Sequence, residues 1–138
     1  MARRDKVTRV DYYSLTIANE PGTGFDLLAK LKESGVNLLA YTAFPIDNGR
    51  TKVSLVPEDP EALFEAAQKF GLSLSPRKDA FFVRGKTRVG AAAEVLHKLA
   101  VADINLTASC GAQSNGDYGL MLWVKSENVH AAAKALGV

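Results

Sequence analysis

The sequence repeats itself. Shifted by 68 positions (79 − 11), residues 11–70 lie over 79–138 without a gap. Leu28, Lys30 and Leu31 fall on Leu96, Lys98 and Leu99, and Val36-Asn37-Leu38 falls on Ile104-Asn105-Leu106. Asp11 meets Asp79, Gly22 meets Gly90, Ala40 meets Ala108 and Val56 meets Val124. A repeat constrains the fold more than any local signal, because each copy must be the same supersecondary unit. A unit of roughly 60–70 residues buries only about 60% of its unfolded surface and is marginal alone. The two copies are therefore expected to pack together, with function where they meet.

Local patterns fill in the unit. Residues 12–18 are aromatic and β-branched and stop at Asn19-Glu20-Pro21-Gly22, which reads as a strand and a turn. Leu27, Leu28 and Leu31 have helical spacing within 25–34, and Gly35 closes that helix. Strands are expected over 36–44 and 51–56, with a turn at Asp47-Asn48-Gly49. Asp59-Pro60 opens a second helix that runs to Gly71, and 72–75 reads as a short closing strand ended by Pro76. The second copy repeats the order: strand 80–83, helix 89–99, strand 104–110, turn 115–117, strand 120–125, helix 129–136. The order β-α-β-β-α-β is ferredoxin-like. The expected fold is α+β: two such repeats, 11–76 and 77–138, packed side by side with antiparallel sheets. The second copy ends before its closing strand. In the same frame residues 5–10 overlie 73–78, so they are expected to supply it and to cover an open sheet edge.

Bulk properties exclude several classes. A net charge of +2 commits the chain to no polyanion, and the basic cluster Arg3, Arg4 and Lys6 reads as a solvated tail. No apolar run approaches the roughly 18–20 residues of a membrane span, and no apolar stretch follows the N-terminal arginines. With Cys110 alone no internal disulfide can form, so a cytoplasmic location is the default.

The most informative stretch for chemistry is Asn19, Glu20, Pro21, Gly22, Thr23, Gly24 and Phe25, between a strand end and a helix start. Exposed N–H groups and the positive end of the helix dipole make that place an anion site; the plainer reading is an Asx and Pro-Gly turn. Gly85-Lys86-Thr87 lacks the upstream glycine of a phosphate-binding loop, since Ala80 stands there. His97, His130 and Cys110 are too scattered for a metal or a catalytic pair, and no enzyme activity, metal or cofactor is expected.

Asn-x-Pro-Gly at the first strand end, followed by Asn37 in Val-Asn-Leu, resembles the ACT domain, a small regulatory, amino-acid-binding module of β-α-β-β-α-β order. The resemblance covers nearly the whole chain as two tandem copies. It implies a non-catalytic sensor or regulator whose effector, an amino acid, sits between modules, held by the first loop of one and the second strand of the other. Carried over, the ligand residues are the loop 19–25 with Asn105 and Leu106, and a second set of Thr87, Val89 and Gly90 with Asn37 and Leu38. The second loop has lost the Asn and the Pro, so its pocket is expected to be weaker. Serine-binding members carry a His where this chain has Ile17. The implied partners are a small-molecule effector, a second copy in a homodimer, and a regulated enzyme or other protein, with no nucleic acid and no membrane. The alternative is an RNA-binding protein of RRM-like βαββαβ fold. Its support is Tyr118-Gly119-Leu120-Met121-Leu122-Trp123, which partly matches a base-stacking strand.

Overall fold

The structure, a computed structural model, describes residues 5–138; Arg3 and Arg4 of the basic cluster lie outside the described residues. The elements are β1 (Lys6–Ala18), α1 (Thr23–Glu33), β2 (Leu38–Pro45), β3 (Arg50–Pro57), α2 (Pro60–Phe70), β4 (Lys78–Lys86), α3 (Ala91–Val101), β5 (Leu106–Ser114), β6 (Asp117–Val124), a 3-10 turn (Ser126–Asn128) and α4 (Val129–Leu136). All hairpin pairs are antiparallel.

Two compact units result. One is Asp11–Lys78; the other joins residues 5–10 to Asp79–Val138. The strand order is β2-β3-β1 in the first and β1-β4-β6-β5 in the second, so the long strand β1 serves both. Val7, near its start, packs on the core of the second unit.

Residues 72–75 form no strand. Ser75 donates its amide to the Ser14 carbonyl at 2.8 Å, while the Ser14 amide is taken by the Ser75 hydroxyl at 2.9 Å. A side-chain acceptor has replaced the backbone carbonyl that a ladder needs, and Pro76 has no N–H to extend one.

Helix ends follow the repeat closely. Gly35 (φ 73°) and Asp103 (φ 59°), equivalent at a shift of 68, both adopt the left-handed conformation that terminates α1 and α3. Behind them Val36 donates to the Leu31 carbonyl and Ile104 to the Leu99 carbonyl, each at 2.9 Å, the wrap of a Schellman-type cap. At α2 the Asp59 carboxylate accepts from the Glu61 amide at 3.1 Å, a side-chain N-cap.

The gapless frame, however, ends at the β5–β6 hairpin. Tyr13 pairs with Leu55, and its counterpart Phe81 pairs with Leu122, a shift of 67 on the second strand (122 − 55). The first copy turns between Pro45 and Thr51; the second turns in two residues, Asn115 (φ 57°) and Gly116 (φ 80°). Both positive φ values fit the type I′ turn that suits a two-residue hairpin. Further on, Leu72 donates to Ala67 and Val138 to Ala133, a shift of 66. Val124 therefore does not overlie Val56, nor Val138 Phe70, as the single frame had it.

That slip decides which side chains are core. In the first unit Tyr13, Leu15, Val53 and Leu55 face Leu27 and Leu31 of α1 and Leu63 and Ala66 of α2. In the second, Phe81, Val83, Leu120 and Leu122 face Val95 and Leu99 of α3 and Val129, Ala132, Ala133 and Leu136 of α4. Both sheets thus bury one face under two helices. The alternate residues, among them Phe82, Arg84, Gly119, Met121 and Trp123, point to the other face.

Candidate functional site

Both strand-to-helix loops are built alike. The residue before α1 is Gly22 (φ 92°) and the residue before α3 is Gly90 (φ 82°), and neither helix has a side-chain cap. A left-handed backbone at that position favours glycine in both copies. Thr23 and Ala91 donate their amides to the Glu20 and Arg88 carbonyls at 3.3 Å, while Asp26 and Glu94 donate to the Gly22 and Gly90 carbonyls at 2.9 and 3.0 Å. What remains at the mouth of each helix is a pair of first-turn amides, Gly24 with Phe25 and Ala92 with Ala93. Such amides are the donors that bind an anion at a helix start.

In the first loop the Asn19 amide nitrogen of the backbone donates to the Gly49 carbonyl at 3.0 Å. The Thr51 hydroxyl donates to Asn19 Oδ1 at 3.2 Å, which orients the side chain and leaves the Nδ2 hydrogens as its donors. The Thr23 hydroxyl lies 2.6 Å from the Ala18 carbonyl and 2.9 Å from that of Glu20, pinning the loop. Glu20, Pro21, Gly24 and Phe25 are exposed, Phe25 at 74%.

The second loop borders a cavity of about 550 Å³. Its walls are Thr87, Arg88, Val89, Gly90 and the Ala91–Ala93 turn on one side, and Gly111, Ala112 and Gln113 of β5 on the other. Volume of this order suits a small metabolite. The loop is braced from outside. Arg88 pairs bidentately with Asp5 (Nη1–Oδ1 and Nη2–Oδ2, both 3.0 Å) and reaches Glu94 through Nε at 3.2 Å. The Asp5 side chain is only 13% exposed. Arg88 holds the Asp5 carboxyl below the usual carboxylate range, partly offset by burial. Burial, then Asp5, pushes the Tyr118 phenol up to about 12. Gly85 makes room for this cluster, since a Cβ there would run into the Asp5 carboxylate.

This brace was not foreseen from sequence. The available signal was the departure of the second loop from the first: Arg88 stands where Glu20 does, and Asp5 lies 83 residues upstream.

The second-strand residues behave differently from the loops. Asn37 Nδ2 donates to Glu58 Oε2 at 2.7 Å, and the Glu58 amide returns a bond to the Asn37 carbonyl at 2.9 Å. Asn37 and Leu38 line a separate cavity of about 610 Å³ with Leu28, Lys32 and Tyr41. Leu38 and Leu106 pack against the cores of their own units, and Asn105 is exposed just before β5.

The RNA reading loses its residues. Tyr118 packs on the helix side of the sheet, and Trp123 is 4% exposed, so neither offers a ring to a base. Among the described residues no group of His, Cys, Asp and Glu could hold a metal ion, and no helix is long and apolar enough to cross a membrane.

The architecture is similar to that of a protein from Bacteroides thetaiotaomicron, with a TM-score of 0.80 at 15% identity, covering 95% of this chain and 88% of that one. It is also similar to the regulatory subunit of aspartate kinase from Thermus thermophilus in its ligand-free form (TM-score 0.64, 16% identity, 96% and 94% covered). The regulatory subunit from Thermus flavus gives a TM-score of 0.60 at 18% identity, with 99% and 95% covered. The chain has the α+β fold of a tandem ACT-type protein. No protein-family model and no curated protein sequence matches it.

Acid and alkali should probe the brace from both sides. The folded Asp5 value lies below the unfolded one, so its stabilisation is present above about pH 4 and lost as pH falls through the depressed value. Tyr118 runs the other way. Raised from 10.0 to about 12, it stabilises below pH 10 and loses that contribution as pH climbs toward 12. Asp5→Asn is expected to lower the melting temperature at neutral pH and to flatten the acid limb of a melting-temperature profile. An acid limb as steep as that of the parent chain would exclude Asp5 as its source.

Proposed function

We propose that this chain is a non-catalytic regulatory protein that binds a free amino acid or close analogue at its strand-to-helix loops. The observation that carries the reading is the uncapped first turn behind a left-handed glycine at both Gly22 and Gly90. A ligand carboxylate would accept from the amides of Gly24 and Phe25, or of Ala92 and Ala93, without a cationic side chain. The Asn19 side chain adds a donor in the first loop, and the 550 Å³ cavity gives the second loop room for a ligand body. The likeness to the regulatory subunits from Thermus thermophilus and Thermus flavus supports a regulatory rather than a catalytic role.

The same reading includes a homodimer. β2 ends the strand order of the first unit and carries exposed Leu39, Tyr41 and Phe44, with Ile46 just beyond. An apolar edge of that kind is a pairing surface. Sedimentation at increasing concentration tests it.

The functional test is a thermal-shift screen of the twenty amino acids, followed by calorimetry of any hit. A true effector is expected to raise stability by about 2.7 kcal/mol at a hundredfold excess over Kd, and to be recovered unchanged. Binding of RNA with no amino acid hit would move the assignment to the alternative class.

A further inference from the structure

Beyond the loops, the second unit has a depression on the sheet face turned away from its helices. Its volume is about 710 Å³. It arises from side-chain sizes across three paired strands. Arg84 pairs with Gly119, which pairs with Ala112, so two of three positions in one row are nearly bare. In the next row Phe82 pairs with Met121. A Cβ on Gly119 would lie 3.3 Å from the Phe82 ring, so the glycine lets that ring lie along the trough as a flat wall.

The rim is cationic. Lys6, Arg84 and Lys86 all line the depression. Lys86 is held by Asp117 at 2.7 Å. Neither Lys6 nor Arg84 has a carboxylate partner among the described residues, and both are exposed. The other nearby carboxylate, Asp5, is engaged by Arg88. Two uncompensated cations beside an aromatic wall and a small-residue floor suit an occupant with a planar ring and an acidic group. A guanidinium can hold a carboxylate or a phosphate oxygen pair in a two-point contact, and a ring can stack on Phe82.

We propose that this face of the second unit binds a small planar organic anion, its ring against Phe82 and its acidic group between Lys6 and Arg84. The site shares sheet residues such as Ala112 and Gly119 with the loop cavity, but it uses no first-turn amide, and it selects for a ring that a loop effector need not have.

The test is a titration of the full chain, uniformly labelled with nitrogen-15 and followed by amide shifts, with three probes. These are adenosine 5′-monophosphate, indole-3-acetate and neutral adenosine. One of the two anions is expected to shift the amides of Phe82, Arg84 and Lys86, which line the trough and not the loop cavity, and which one does tells phosphate from carboxylate. Adenosine is expected to bind at least about tenfold more weakly than its monophosphate if the phosphate probe is the ligand type. Arg84→Gln, an exposed change that leaves the cores intact, is expected to weaken binding about tenfold or more, and Gly119→Val to abolish it by filling the trough. Asn19→Ala is expected to leave it unchanged. The proposal fails if neither anion perturbs these amides, or if Arg84→Gln binds as the parent does. It also fails if the shifts appear at residues 87–93 instead.

Discussion

Removing residues 1–10 is expected to abolish cooperative folding of the unit that contains 79–138. Three losses coincide. β4 loses its neighbour in the strand order, Val7 leaves the core, and Arg88 loses the Asp5 carboxylate. Each ladder hydrogen bond is worth about 1 kcal/mol net, and a polar group stranded in a half-buried position costs about 1–3 kcal/mol more. Against a total stability of about 5–15 kcal/mol the sum is decisive. Urea melts followed by far-ultraviolet dichroism and by fluorescence of the buried Trp123 would register it. A truncated chain with the parent's melting temperature would show that the segment is dispensable.

Asn19→Ala is expected to weaken binding of the proposed amino-acid effector ten- to a hundredfold. On the proposed reading the change removes a hydrogen bond to a charged ligand group, worth roughly 1.5–3 kcal/mol. It leaves the fold alone, because Asn19 is exposed and its side chain accepts only from Thr51 within the unit. Thr87→Ala is expected to cost little, since the Thr87 hydroxyl offers one donor hydrogen where the Asn19 amide offers two. Asn105→Ala serves as the companion variant for the strand amide that the family resemblance brings to the ligand. Calorimetry at fixed salt separates these outcomes. Equal losses from Asn19→Ala and Thr87→Ala would remove the proposed difference between the loops.

Much of this could be read from the residues alone, for physical reasons that are local. Helix starts and stops depend on a few neighbouring side chains, so Asp59-Pro60 and Gly71 mark α2 to the residue. Strands were placed within a few residues because β-branched and aromatic runs suit a half-buried pleat. The loop at Asn19–Phe25 stood out because Pro-Gly and the strand-to-helix change are themselves local signals. The strand at 72–75 was misjudged: its alternation is strand-like, yet its partner positions on Ser14 are satisfied by a hydroxyl.

What the chain order alone determined is the duplicated α+β unit, its helices with the caps at Gly35, Asp59 and Gly71, and the loop at Asn19–Phe25, since each rests on contacts within a few residues. Tertiary structure decided the rest. Pairing register is set by turns and by which face is buried, and a slip of one residue moves every side chain to the opposite face. The two-residue turn at Asn115-Gly116 made that slip, sending Trp123 to the face without helices and Leu122 into the core. The Asp5–Arg88 brace and the cationic trough are likewise products of assembly. They bring Asp5 and Lys6 beside residues 84–119, a proximity that only the folded sheet creates.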